Sequence, residues 1–129
     1  MFYLDTSAAA KLVVAERGSA ALRRWLAERG DRVFSSDLLR TELLRATRRV
    51  APTQMTQARA VLDSVLLLRL TTPICERAAM LSPGVLRSLD ALHLAAALKM
   101  GDELEGLVTY DGRLTVGAGA LGIEVFQPA

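Results

Sequence analysis

Four acidic residues, Asp5, Glu42, Asp90 and Asp111, stand where the hydrophobic pattern ends a strand or opens a helix. Asp5 follows Phe2-Tyr3-Leu4, and Asp111 follows Leu107-Val108-Thr109-Tyr110. Asp90 sits in Leu89-Asp90-Ala91-Leu92-His93-Leu94-Ala95-Ala96-Ala97-Leu98, a segment apolar nearly all round. Glu42 lies within a helical stripe formed by Leu39, Leu43, Ala46 and Val50. A carboxylate among apolar neighbours is costly unless it is paired or binds a metal. Two carboxylates ~4 Å apart at an effective dielectric of about 20 repel by about 4 kcal/mol. If the fold gathers the four, a divalent cation is the simplest counter-charge. An all-oxygen donor set suits Mg²⁺ or Mn²⁺, whereas zinc favours His or Cys. Each acid also has a local explanation. Asp5 can cap the helix that follows it, and Asp90 is near a helix N-terminus where the dipole favours a carboxylate. Asp111-Gly112 is a common turn pair, and Glu42 can be a solvated helix residue.

The elements that would position these acids alternate. Met1 to Leu4 reads as a strand, Ser7 to Val14 and Ser19 to Glu28 as helices, Gly30-Asp31 as a turn, and Arg32 to Ser35 as a strand. Ser36 to Val50 reads as a helix with Ser36 or Asp37 as N-cap, ended by Pro52. Thr53 to Leu67 reads as a helix running into a strand near Leu68 to Thr71. Pro73 to Leu81 is a short helix opened by proline. Ser82-Pro83-Gly84 is a loop, and Ser88 to Met100 is a buried helix closed by Gly101. Gly106 to Thr109 is a strand, Asp111 to Ala120 a loop or helix, and Ile123 to Phe126 a last strand. Strands separated by helices imply an α/β fold with parallel pairing and right-handed crossovers. Sites in such sheets lie beyond the carboxyl ends of the strands, where Asp5 and Asp111 fall.

The chain has 129 residues, the size of one domain, here 1–129, and no linker, repeat or low-complexity tract divides it. Its hydrophobic fraction, 51%, is high for a water-soluble chain and suits elements packed on both faces. No apolar stretch reaches the ~18 residues of a membrane span, and no basic segment precedes an apolar run as in a secretory signal. Cys75 is the only cysteine, so an internal disulfide is excluded and a reducing cytoplasm is the expected setting. Net charge is only +2, yet arginine supplies 14 of the 16 basic residues, leaving Lys11 and Lys99. Codon bias explains an arginine excess as readily as function does. The distribution is more telling: from Leu39 to Leu62 there are five arginines, Arg40, Arg45, Arg48, Arg49 and Arg59, against one acid, Glu42. That excess suits a polyanion partner.

Leu4-Asp5-Thr6-Ser7, Thr41-Glu42-Leu43, Leu89-Asp90-Ala91-Leu92-His93-Leu94-Ala95 and Val108-Thr109-Tyr110-Asp111, taken together, resemble a PIN domain, more narrowly a VapC-type toxin ribonuclease. The resemblance spans essentially the whole chain. It implies a PIN-like three-layer α/β/α domain with a mostly parallel central sheet of about five strands. It also implies a Mg²⁺- or Mn²⁺-dependent endoribonuclease, a homodimer, and a VapB-type antitoxin. The family's four acidic positions map onto Asp5, Glu42, Asp90 and Asp111, all filled. On this mapping Asp5 and Asp90 are direct metal ligands, and Glu42 and Asp111 hold metal waters or a second ion. Ser7 and Thr109 support the site through their hydroxyls, and Arg40, Arg45, Arg48 and Arg49 bind RNA. A bound ion would lower the pKa of its water, orient it in line with a phosphodiester and stabilise the leaving oxygen.

His93, one turn after Asp90, is read first as a packed structural histidine, with a proton-shuttle or supporting role as the alternative. Cys75 reads as a small core residue, and Trp25, spaced helically with Leu22 and Leu26, as core or dimer interface. Two other Mg²⁺-binding α/β classes fit poorly. A receiver domain needs paired acids after its first strand and a lysine after its last. A haloacid-dehalogenase-like phosphatase needs Asp-x-Asp, where this chain has Ser7. The surviving rival is a catalytically silent module that holds RNA through its basic helices.

Overall fold

A computed structural model describes residues 1–82, 84 and 86–129. The loop expected at Ser82-Pro83-Gly84 includes Pro83, which lies outside the described residues. Five strands, β1 (Phe2–Leu4), β2 (Val33–Ser36), β3 (Leu66–Leu68), β4 (Gly106–Val108) and β5 (Val125–Phe126), form one sheet. Its order is β3-β2-β1-β4-β5, and every pairing is parallel. The helices are α1 (Thr6–Val13), α2 (Ser19–Ala27), α3 (Asp37–Val50), α4 (Met55–Asp63), α5 (Thr72–Ala79), α6 (Ser88–Leu98) and α7 (Gly112–Ala120).

Strand side chains alternate between faces, and this divides the core in two. Phe2, Leu4 and Val108 point to one side and pack with Ala8, Leu12, Leu22, Leu39, Leu43 and Leu62 from α1 to α4. Tyr3, Phe34 and Leu107 point to the other and pack with Ile74, Leu94, Ala95 and Leu114 from α5 to α7. Helices therefore cover both faces, giving the expected three layers. Trp25 is partly buried and packs against the first core, edge-on to Phe2 at 4.9 Å between ring centroids. Among the described residues no helix is long and apolar enough to cross a membrane.

From β1 the chain steps outward to β2 and β3, then returns to the other side of β1 for β4 and β5. The crevice beyond the carboxyl ends of β1 and β4 is thus a topological switch point, where open α/β sheets place their ligands. The Asp5 amide donates to the Val108 carbonyl at 3.2 Å, so the two strand ends stay together as they leave the sheet.

Three local expectations change. The third strand is Leu66–Leu68 rather than 68–71, and α4 stops at Asp63. The run Val65-Leu66-Leu67-Leu68 carries no periodicity that separates helix from strand. Parallel pairing with β2, Phe34 opposite Leu66, claims it instead. Cys75 is exposed, not core. On α5 the buried positions are Ile74 and Ala78, four apart, and Cys75 is rotated about 100° from Ile74. Val50, the end of the expected apolar stripe, is 71% exposed because α3 runs past its packing partners there. The segment 111–120, left open between loop and helix, is helical from Gly112.

Candidate active site

Asp5 leaves β1 and caps α1, so its backbone is fixed on both sides. It is 3% exposed. Oδ1 accepts from the Ala8 amide at 2.9 Å and from the Ser7 hydroxyl at 2.8 Å, and Oδ2 accepts from the Thr109 hydroxyl at 2.5 Å. Burial pushes the Asp5 carboxyl above its usual range, and the bonds from Thr109, Ala8 and Ser7 oppose that without cancelling it. Ser7 and Thr109 also organise the loop after β4. The Tyr110 amide donates to Ser7 Oγ at 2.9 Å, and the Asp111 amide donates to Thr109 Oγ1 at 3.0 Å. Tyr110 is raised too, first by burial and then by the Asp5 charge.

Asp111 caps α7, its Oδ1 accepting from the Leu114 amide at 3.0 Å. Glu42 projects from α3 and is partly buried. Its Oε1 accepts from the Thr6 hydroxyl at 2.6 Å and meets His93 Nε2 at 2.6 Å. Partial burial pushes Glu42 upward, but the bonds from His93 and Thr6 and the His93 charge together outweigh it. The carboxyl ends below its usual range, against a small upward push from the Asp111 charge.

Asp90 is the third residue of α6. Its Oδ2 accepts from the Arg87 amide at 3.2 Å and lies 3.6 Å from Arg113 Nε. Among the described residues it bonds to none of the other three acids. Its link to them runs along α6 to His93, three residues on, which holds Glu42.

The four acids thus stand at the ends of β1 and β4, on α3 and at the start of α6; the Asp111 charge reaches Glu42, and each acid has donors of its own. Among the described residues no three His, Cys, Asp or Glu side chains stand close enough to share one ion. Carboxylates and hydroxyls with no sulfur ligand remain a donor set for a hard cation. Mg²⁺ takes one or two protein carboxylates and keeps several waters, so the donor chemistry suits it. Tyr3, Thr6 and Arg113, which contact His93, Glu42 and Asp90 respectively, carried no signal of their own in the sequence.

The basic run lies beside this site. Arg45 and Arg49 are three and seven residues after Glu42, on its side of α3, and Arg45, Arg48 and Arg49 are exposed and line one surface hollow. Arg40 is on a different side of the helix, with Nε 3.7 Å from Asp37 Oδ1. Arg59 is exposed on α4.

Known proteins place the chain. The PIN domain family profile matches residues 2–119. Ribonuclease VapC47 of Mycobacterium tuberculosis is 42% identical over 132 residues, covering 99% of this chain and 97% of that protein. Ribonuclease VapC46 of the same species is 42% identical over 127 residues, covering 98% of this chain and 97% of that protein. Among solved structures, M. tuberculosis VapC20, described as a sarcin–ricin loop cleaving toxin, superposes with a TM-score of 0.77 at 19% identity, covering 99% of this chain and 100% of that one. A toxin–antitoxin complex from Klebsiella pneumoniae gives 0.76 at 20% identity, covering 100% of this chain and 98% of that one. These two likenesses show the fold, and the sequence relationships go further: the chain belongs to the PIN domain family, within its VapC group.

Proposed function

We propose that this chain is a divalent-metal-dependent endoribonuclease, one PIN domain over residues 1–129, acting as the toxin of a toxin–antitoxin pair. The observation that carries the reading is the buried Asp5 carboxylate at the switch point, linked through Thr109 to the Asp111 backbone, with Glu42 within reach of the Asp111 charge and Asp90 at the start of α6. Asp5 and Asp90 would hold Mg²⁺ or Mn²⁺, and Glu42 and Asp111 would hold its waters or a second ion. A bound ion would supply a nucleophilic water at neutral pH and charge stabilisation for the leaving oxygen. The protein's part is placement. Ser7 and Thr109 hold Asp5 in one rotamer, and the β1–β4 pairing holds Asp5 and Asp111 at adjacent strand ends.

The Asp90–Arg113 pair supports an inhibitory mode. A guanidinium already lies 3.6 Å from Asp90 here, and a basic side chain from an antitoxin could pair more closely near Asp5 and Asp90. We place the protein in the cytoplasm, as a homodimer, bound to a VapB-type antitoxin until released.

The test is to purify the chain free of partner and incubate it with cellular RNA and Mn²⁺. Discrete fragments are expected. RNA that is bound but uncut would favour the silent RNA-binding module instead.

RNA recognition gives a second expectation. Arg45 and Arg49 share the Glu42 side of α3, and Arg48 lies next to them. Reversing Arg45 and Arg49 to Glu should weaken RNA binding about tenfold or more. It should also flatten the dependence of log K on log salt by about 1.4, from roughly 0.7 per lost phosphate contact on a single strand. An unchanged slope in filter binding would assign these arginines to a protein contact.

A further inference from the structure

His93 is the buried titratable group that the reading above leaves without a role. It is 5% exposed, in the middle of α6. Both ring nitrogens are engaged: Nδ1 is 2.7 Å from the Tyr3 hydroxyl and Nε2 is 2.6 Å from Glu42 Oε1. An ionised carboxylate only accepts, so the proton of the second bond sits on Nε2. Tyr3 is fully buried on β1, its ring edge-on to Phe34 at 5.2 Å, and its hydroxyl is 2.9 Å from Ser36 Oγ. The imidazole is therefore braced from behind by the sheet and meets a site acid in front. Thr6 donates to the same Oε1 at 2.6 Å, while Oε2 accepts from no described side chain. A free glutamate side chain samples many rotamers; two fixed donors on one oxygen leave it one.

Resting on the metal-dependent nuclease reading, we propose that His93 is a positioning residue. Braced by Tyr3 and acting with Thr6, it fixes Oε1 of Glu42 so that the second oxygen is offered to the metal's hydration shell. Any buried imidazole needs partners for its ring nitrogens; what sets this one apart is that the partner at Nε2 is a site acid, while the partner at Nδ1 is anchored in the sheet. Carboxylates at metal sites are themselves held by outer hydrogen bonds, and losing such a bond costs about 10–100-fold in metal affinity or activity.

The experiment compares His93→Phe, His93→Gln, His93→Asn and Tyr3→Phe in the full chain. Mn²⁺ affinity is measured without RNA, from the resonance of the free ion. Steady-state RNA cleavage and melting temperature are measured on the same samples. His93→Phe should lose about 10–100-fold in Mn²⁺ affinity and in kcat, with KM for RNA little changed. The glutamine amide reaches the place of Nε2, so His93→Gln should recover most of both losses. Asparagine is too short to reach Glu42, so His93→Asn should not. Tyr3→Phe should lose less, in the same direction. The role is overturned if a folded His93→Phe keeps wild-type Mn²⁺ affinity and kcat. If phenylalanine does not fold, equal activity of the glutamine and asparagine variants overturns it. A wild type that binds no Mn²⁺ and cuts no RNA fails the nuclease reading and this inference together. A wild type that does both beside an indifferent His93→Phe fails only the inference.

Discussion

Asp5→Asn is expected to abolish RNA cleavage and to raise the melting temperature of the metal-free protein. Asparagine keeps an oxygen for the Ala8 amide and the Ser7 hydroxyl, so the α1 cap survives. Its amide can donate to Thr109, which need only turn its hydroxyl away. What is lost is the charge, and the charge is what burial penalises. Burial raises the Asp5 carboxyl in the folded state, so between the ordinary aspartate value of about 3.9 and the raised one the folded protein binds more protons than the unfolded chain. Stability must then fall as pH rises through that window and stay lower at neutral pH. The asparagine variant lacks that decline. A gain of about 1 kcal/mol at neutral pH would raise the melting temperature by roughly 3–5 °C for a chain of this size. The comparison is thermal melting from pH 4 to 8 in chelator, with cleavage assayed alongside. A variant that melts lower than wild type at neutral pH would show that the carboxylate's hydrogen bonds outweigh its desolvation. One that still cuts RNA would remove Asp5 from the site.

Removing the metal from the wild type should be as complete in its effect. Excess chelator is expected to take cleavage to the limit of detection, and Mg²⁺ or Mn²⁺ added back should restore it. The same ion should stabilise the fold, by about 2.7 kcal/mol at a hundred times its dissociation constant, because it relieves the cost of burying Asp5. Asp5→Asn and Asp90→Asn should both lose this metal-induced rise in melting temperature, even though the first melts higher without metal. Asp90→Asn also frees Arg113 from its partner, so its own stability should change little in chelator. Undiminished cleavage under chelation would overturn the metal reading. A metal-induced rise preserved in Asp90→Asn would take Asp90 out of the ligand set.

What could be read from the sequence follows the range of the forces involved. Strand β1 with Asp5 and β4 with Asp111 were legible because a short apolar run followed by an acid is a local pattern. The buried character of α6 was legible for the same reason. Glu42 was not separable from a solvated glutamate by its neighbours alone, because its donors, Thr6 and His93, lie 36 and 51 residues away. The contacts of His93, for which a supporting role stood only as the alternative to packing, were out of reach on the same ground, since Tyr3 is 90 residues distant. Arg113 carried no mark that set it apart from thirteen other arginines. Cys75 was misplaced because a small residue in a short amphipathic helix is assigned to the core or the surface by a single residue of phase, about 100°, which composition does not supply.

The bond from Thr109 to Asp5 spans 104 residues, and β1 in the middle of the sheet must wait for β4 to complete its second edge. Translation proceeds at about 5–20 residues per second. A nascent chain would therefore expose Asp5 for between about 5 and about 20 s before the strand that carries Thr109 is made. Throughout that interval the central strand has an open edge and the carboxylate lacks its shortest bond. Such long-range closure is slow to form and leaves unpaired strand edges vulnerable to wrong partners. It also means that a chain stopped before β4 lacks both the Thr109 bond to Asp5 Oδ2 and the strand that carries Asp111 to the site.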